Sequence, residues 1–145
     1  MAYAPAINLG PLQHFPLNSA ASKVVVNGTA ISTSWSAAVS CASLIPVGAK
    51  AVWVKTLVEL TSVAAGLSRT RIHFSDNNSI SPNYAMAHPM LEANDRAAGA
   101  GEIVGHGGMM VIPLNASGQF YFISDFIINC TGSLIVVLCG YYMGG

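Results

Sequence analysis

Four histidines, His14, His73, His88 and His106, and three cysteines, Cys41, Cys130 and Cys139, are the residues of this chain best suited to metal or nucleophilic chemistry. Zinc sites draw Cys and His at tight local spacings, and these residues do not show them. His73 reads as a surface residue beside Arg71, His88 precedes Pro89 in a long loop, and His106 lies in GHGGMM. The cysteines fall inside apolar, strand-like stretches, which suits buried reduced thiols and leaves one disulfide open. Glycosidase chemistry needs two carboxylates flanking one cleft, and Asp76, Glu92, Asp95, Glu102 and Asp125 are scattered, with Glu59 expected to pair on its own sheet. Asp76 with Asn77, Asn78 and Ser79 reads as a turn rather than a calcium loop. GEIVGHGG, residues 101–108, is followed by the strand-like MMVIPL and not by a helix, so it lacks the context of a phosphate cradle. Its glycines suit a bulge or a close backbone approach, and no GxSxG elbow occurs. The expectation is a protein with no catalytic residues, no metal and no cofactor.

What positions these residues is set by composition and period. Of 145 residues only 8% are charged, six Lys or Arg against six Asp or Glu, while 52% are hydrophobic. An ordinary soluble domain carries about 25% charge. A single domain of this length still exposes a large surface, so much of that surface is expected to lie against other protein. A spanning helix needs about 20 consecutive apolar residues, which the chain lacks, and MAYAPAINLGPLQHFPLN has no basic region of the kind that opens an export signal. Near-zero net charge with no basic stripe argues against nucleic acid as a partner. Without an export signal the formal sequons at Asn27, Asn77, Asn115 and Asn129 carry little meaning.

Residues 1–22 hold Pro5, Pro11 and Pro16 among isolated apolar residues and read as an extended arm, with residues 23–145 as the folded domain. Ile7, Leu9, Leu12, Phe15 and Leu17 suit contact with a neighbouring subunit. From Ile31 the period is two: Ile31, Thr33, Trp35, Ala37, Val39 and Cys41 share one face, which puts Trp35 in the core. AVWVKTLVELT alternates as well, with Val52, Val54, Val58 and Leu60 on one side and Trp53, Lys55 and Glu59 on the other. SVAAGLS reads as a hairpin turn onto RTRIHFS, which would let Glu59 face an arginine across the ladder. Residues 76–100 show no sustained period and read as a long loop in which Tyr84 and His88 are candidate binding residues. MMVIPL, QFYFIS, FIINC and the closing SLIVVLCGYYMGG read as strands, the turns being NASG and TG. With KVVV near the start this makes about eight strands and no helix, an all-β antiparallel sandwich of jelly-roll type. The terminal stretch is apolar on both faces, so Ile135, Val137, Tyr141 and Tyr142 are candidate interface residues of a homo-oligomer, with a homotrimer as the first expectation.

PLNASGQF, a short strand, a TG turn and a terminal hydrophobic strand closed by GYY, together with IPVGAKAVWVKTLVEL, resemble small β-sandwich proteins of tailed bacteriophage particles, such as head decoration (cement) proteins and tail or fibre modules. Similar endings occur in bacterial cell-surface sandwich modules. The resemblance covers roughly residues 45–60 and 109–143 and transfers no active-site residue. It implies a structural protein of the virion, assembled in the host cytoplasm, often trimeric and seated on the lattice of the major capsid protein, which it stabilises. A tail or fibre module would instead bind a receptor or carbohydrate.

Overall fold

The computed structural model describes residues 13–17, 23–79 and 89–144. Ile7, Leu9, Leu12, Tyr84 and His88 fall outside them. Among these residues nine strands follow one another: β1 (Gln13–Pro16), β2 (Val24–Ala30), β3 (Val39–Ser40), β4 (Ala49–Ser62), β5 (Gly66–Ser75), β6 (Met90–Ala98), β7 (Ile103–Pro113), β8 (Gln119–Ile128) and β9 (Cys130–Met143). One sheet runs β1-β9-β4-β7, with β2 beside β1 on the same flank of β9; the other runs β3-β8-β5-β6. All pairings are antiparallel. From β2 onward every connection except β5 to β6 passes from one sheet to the other, which is the double Greek key of a jelly roll. Among the described residues no helix is long and apolar enough to cross a membrane.

The alternation read from the sequence builds the core. Val52, Val54, Val58 and Leu60 of β4 and Leu134, Val136 and Leu138 of β9 are buried and face Ile72, Phe74, Phe120 and Phe122 of the second sheet. Buried hydroxyls on the same face are satisfied: Ser68 Oγ lies 2.8 Å from Ser62 Oγ, and Thr70 Oγ1 donates to the Phe126 carbonyl at 2.9 Å.

Several expectations are corrected. Residues 63–65 form a corner between sheets, not a hairpin, because β4 and β5 belong to different sheets. Glu59 therefore lies beside Gly105 and Ser133, and the arginines of β5 find other carboxylates. The 31–41 alternation yields a strand only at Val39–Ser40; before it the backbone touches β8 intermittently, Ser36 N–H on the Phe122 carbonyl and Ser124 N–H on that of Ser32, and Trp35 is half-buried. QFYFIS and FIINC are not two strands, since β8 is continuous through Ile128. The reversal to β9 falls at Asn129, whose φ is 50°, while Thr131 and Gly132 lie within β9. Asn129 suits this turn, because its amide also accepts from Ala64 N–H at 3.0 Å and donates to the Ala64 carbonyl at 2.7 Å. Residues 90–98 of the expected loop form β6.

Candidate functional site

Antiparallel neighbours directly opposite one another share a face. On the outside of the β9-β4-β7 sheet the register therefore sets Trp53 beside Val111, Lys55 between Met109 and Val137, and Leu57 between Gly107 and Ile135. Met109 is 50% exposed, Val111 42% and Ile103 66%. Lys55 and Glu59 are the charged residues that this register sets on the face, with Lys50 exposed at the start of β4.

The terminal strand supplies part of this face. Ile135 and Val137 lie on this outer face, and so does Tyr142, whose ring is 5.1 Å from that of His14. Tyr141 does not, because the register slips between Leu138 and Gly140, leaving Cys139 as an extra residue. A bulge of this kind reverses the alternation beyond it, so Tyr141 packs against the core and stacks on Phe15 at 5.1 Å. The sequence showed an even apolar run here and gave no sign of the slip.

Phe15 and Leu17, expected to reach a neighbouring subunit, lie on the chain's own sheet. β1 pairs with Gln13 opposite Met143 through Pro16 opposite Gly140, and Leu17 N–H donates to the Cys139 carbonyl at 2.9 Å. His14 sits edge-on to Trp53 with ring centroids 5.2 Å apart, so Trp53 is half-buried beneath the arm. The seat is open because residue 140 is glycine. A β-carbon there would lie 2.6 Å from His14 Nε2 and 2.8 Å from the Phe15 carbonyl oxygen. Gly140→Ala should therefore release β1 while leaving β9 paired to β4. The expected result is loss of amide protection at residues 13–17 and a small fall in thermal midpoint; unchanged protection there would show that the arm accommodates a methyl group.

The opposite outer face has different chemistry. All three arginines of the chain, Arg69, Arg71 and Arg96, belong to β5 and β6 on this side. Arg69 Nε donates to Glu92 Oε1 at 2.9 Å. Arg71 Nε donates to Asp125 Oδ2 at 2.9 Å, with a second bond from its terminal nitrogen to the same oxygen. Both guanidinium groups lie over the Phe126 ring, at 4.9 and 5.2 Å. The carboxylate is aimed by a bulge: Arg71 is opposite Phe126 and Ile72 opposite Ser124, so Asp125 is the extra residue between them. His73 is not a surface residue, being fully buried, with Nε2 3.2 Å from Asp125 Oδ2 and no well-directed hydrogen bond at either ring nitrogen among the described residues. Burial alone would raise the Asp125 pKa, but the bonds from Arg71 and the close approach of His73 outweigh it and hold the carboxyl below its usual range. Beside this cluster an open cleft of about 450 Å³ is lined by Leu67, Arg69, Glu92, Asn94 and Arg96.

The remaining candidates do not assemble into a chemical site. Among the described residues no three His, Cys, Asp or Glu side chains are placed to hold a metal ion. The three cysteines are free, and burial pushes the Cys41 thiol up to about 11, far from a reactive thiolate. The glycines of GEIVGHGG permit close approach rather than a bulge, since β4 and β7 stay in continuous register from Ala51 to Thr61. A β-carbon at Gly107 would come within 3.1 Å of the Thr56 carbonyl oxygen, so the close approach lies there, while Leu57 Cδ1 would stand 3.4 Å from a β-carbon at Gly105.

No protein-family model matches the chain, and no curated protein matches it. Among solved structures it is similar to a chain in the cryo-EM structure of the giant freshwater prawn Macrobrachium rosenbergii nodavirus semi-empty VLP, at 13% identity over 92% of this chain and 84% of that chain, with a TM-score of 0.36.

Proposed function

We propose that this is a non-catalytic structural protein of a virus particle, a decoration or cement protein that reinforces a capsid through contacts with copies of itself and with the major capsid protein. One observation carries the reading: the outer face of the β9-β4-β7 sheet is apolar and exposed although it belongs to the sheet that holds the terminal strand. Obligate contacts resemble a divided core, and the apolar side chains exposed on this face, Met109, Val111 and Ile103 among them, support that reading. The jelly roll is a frame used by capsid proteins, although a fold alone does not fix a function.

Val137→Glu tests it. Val137 stands opposite Lys55, so a glutamate there gains a favourable cross-strand neighbour within the subunit while placing charge in the contact face. The variant should melt within a few degrees of the parent, yet lose at least tenfold in self-association by light scattering and in co-sedimentation with assembled shells. A parent protein that stays monomeric at micromolar concentration and binds no shell would overturn the proposal.

The cleft at Leu67, Arg69, Glu92, Asn94 and Arg96 favours a second reading, a receptor or carbohydrate-binding module of a tail or fibre. It requires glycan or cell binding that disappears in Arg96→Ala, which the structural role does not.

A further inference from the structure

β7 is the last strand of its sheet. Leu114 N–H donates to the Lys50 carbonyl and Ser62 N–H to that of Glu102, both at 2.9 Å. Because the register between these bonds is unbroken and antiparallel bonding alternates, Val104, His106, Gly108, Met110 and Ile112 are the residues bonded to β4. The N–H and C=O groups of Ile103, Gly105, Gly107, Met109 and Val111 point away from the sheet. No other strand among the described residues pairs with them.

Proteins guard such edges with charges, prolines, bulges or short strands. β7 has eleven residues, no charged side chain and no bulge, and its single proline, Pro113, stands at the far end. A long, uncharged edge of this kind is a template for another strand. Its sequence fits its own reverse. Only a twofold axis through Gly107 sets all five outward-pointing residues opposite one another: Gly107 on Gly107 of a second copy, Gly105 on Met109, and Ile103 on Val111. Pro113, which has no N–H to give, falls outside the paired stretch. Opposite residues share a face, so the Met109 side chain of one copy lies over the bare Gly105 backbone of the other, and Ile103 meets Val111. Gly105 thus has neighbours on two sides, Leu57 Cδ1 within the subunit and Met109 across the axis.

We propose that two copies of this chain join edge to edge through antiparallel β7–β7 pairing, centred on Gly107, which makes one continuous sheet across the dimer. The pairing also merges the two apolar outer faces into one surface twice as wide. It replaces the homotrimer expected from the sequence with a twofold unit, because an edge paired about its own axis is closed.

Amide hydrogen exchange resolved by residue, at high and low protein concentration, tests this directly. Pairing predicts that Ile103, Gly105, Gly107, Met109 and Val111 are protected at least tenfold in the concentrated sample and lose that protection on dilution, while Val104, His106, Met110 and Ile112 stay slow in both. Met109→Pro removes an outward N–H without touching the β4 ladder, so it should fold and sediment as the smaller species. Fast exchange of the five amides at every concentration would overturn the proposal. So would protection independent of dilution, which would mean that the edge is covered by this chain's own residues, such as 1–12. Should Met109→Pro fail to fold, the exchange pattern of the unmodified protein decides alone. Loss of shell binding without loss of this pattern would reject the capsid role and leave the dimer standing.

Discussion

Phe74→Ala should lower the unfolding free energy by about 3–5 kcal/mol, the range found when a fully enclosed aromatic ring is deleted. Phe74 has no exposed surface, lies directly opposite Phe122 and holds ring contacts to Phe120 and Phe122 at 6.2 and 6.4 Å. It belongs to the same core cluster as Val52, Val54 and Val58 of the other sheet, so its loss leaves a void in that core. The short strand β3 and the irregular backbone before it offer little regular structure that could shift inward and fill the space. Domains of this size hold about 5–15 kcal/mol in total, so the loss is a large share of the whole. Urea denaturation should show a lower midpoint at unchanged slope. Phe74→Leu should recover more than half of the loss; equal losses for both variants would mean that ring contacts, and not enclosed volume, dominate this site.

The core was legible because its residues alternate. Val52, Val54, Val58 and Leu60 were placed on the buried face of β4 from spacing alone, and the sandwich class follows from the number of such stretches. Where legibility failed, the cause is local. One extra residue at Cys139 turns Tyr141 inward, and another at Asp125 joins two apparent strands into one. Neither slip changes composition, so no period can reveal it. β6 does alternate, with Leu91 and Ala93 inward and Glu92 and Asn94 outward, but the small Ala93 made that signal faint. The 31–41 stretch alternates more strongly than β6 and yet pairs at few points, because its neighbour β8 is met only at Ser32, Ser36 and near Cys41.

The functional surfaces divide in the same way. The apolar outer face was implied by the scarcity of charge and by Ile135 and Val137, whereas the arginine face was hidden. Arg69, Arg71 and His73 alternate along β5, but the carboxylates that meet them come from β6 and β8, far along the chain. Charge pairing across strands depends on strand order, which period does not encode. The free edge of β7 was invisible for the same reason, since an edge exists only once every other strand has been placed.

Asp125→Ala should cost about 2–3 kcal/mol, below the 3–5 kcal/mol of a fully buried pair because Arg71 keeps some contact with water. The side chains of Arg71 and Asp125 are 29% and 11% exposed, and that of His73 is not exposed at all. Removing the carboxylate strands the Arg71 guanidinium and the buried His73 ring. The loss should depend on pH. Because the native carboxyl titrates below its usual range, its contribution is complete above the unfolded value of about 3.9, and it falls away as pH drops through the native pKa. Plotted against pH, the unfolding free energy of the parent should therefore decline across the acid limb more steeply than that of Asp125→Asn, and the two curves should converge at the acid end. Replacing both partners, Arg71→Met with Asp125→Leu, should restore the part of the stability lost through Arg71, since a matched apolar pair strands no guanidinium and leaves only His73 without its carboxylate. A double variant as weak as Asp125→Ala would show that His73, rather than Arg71, is the group the carboxylate chiefly serves.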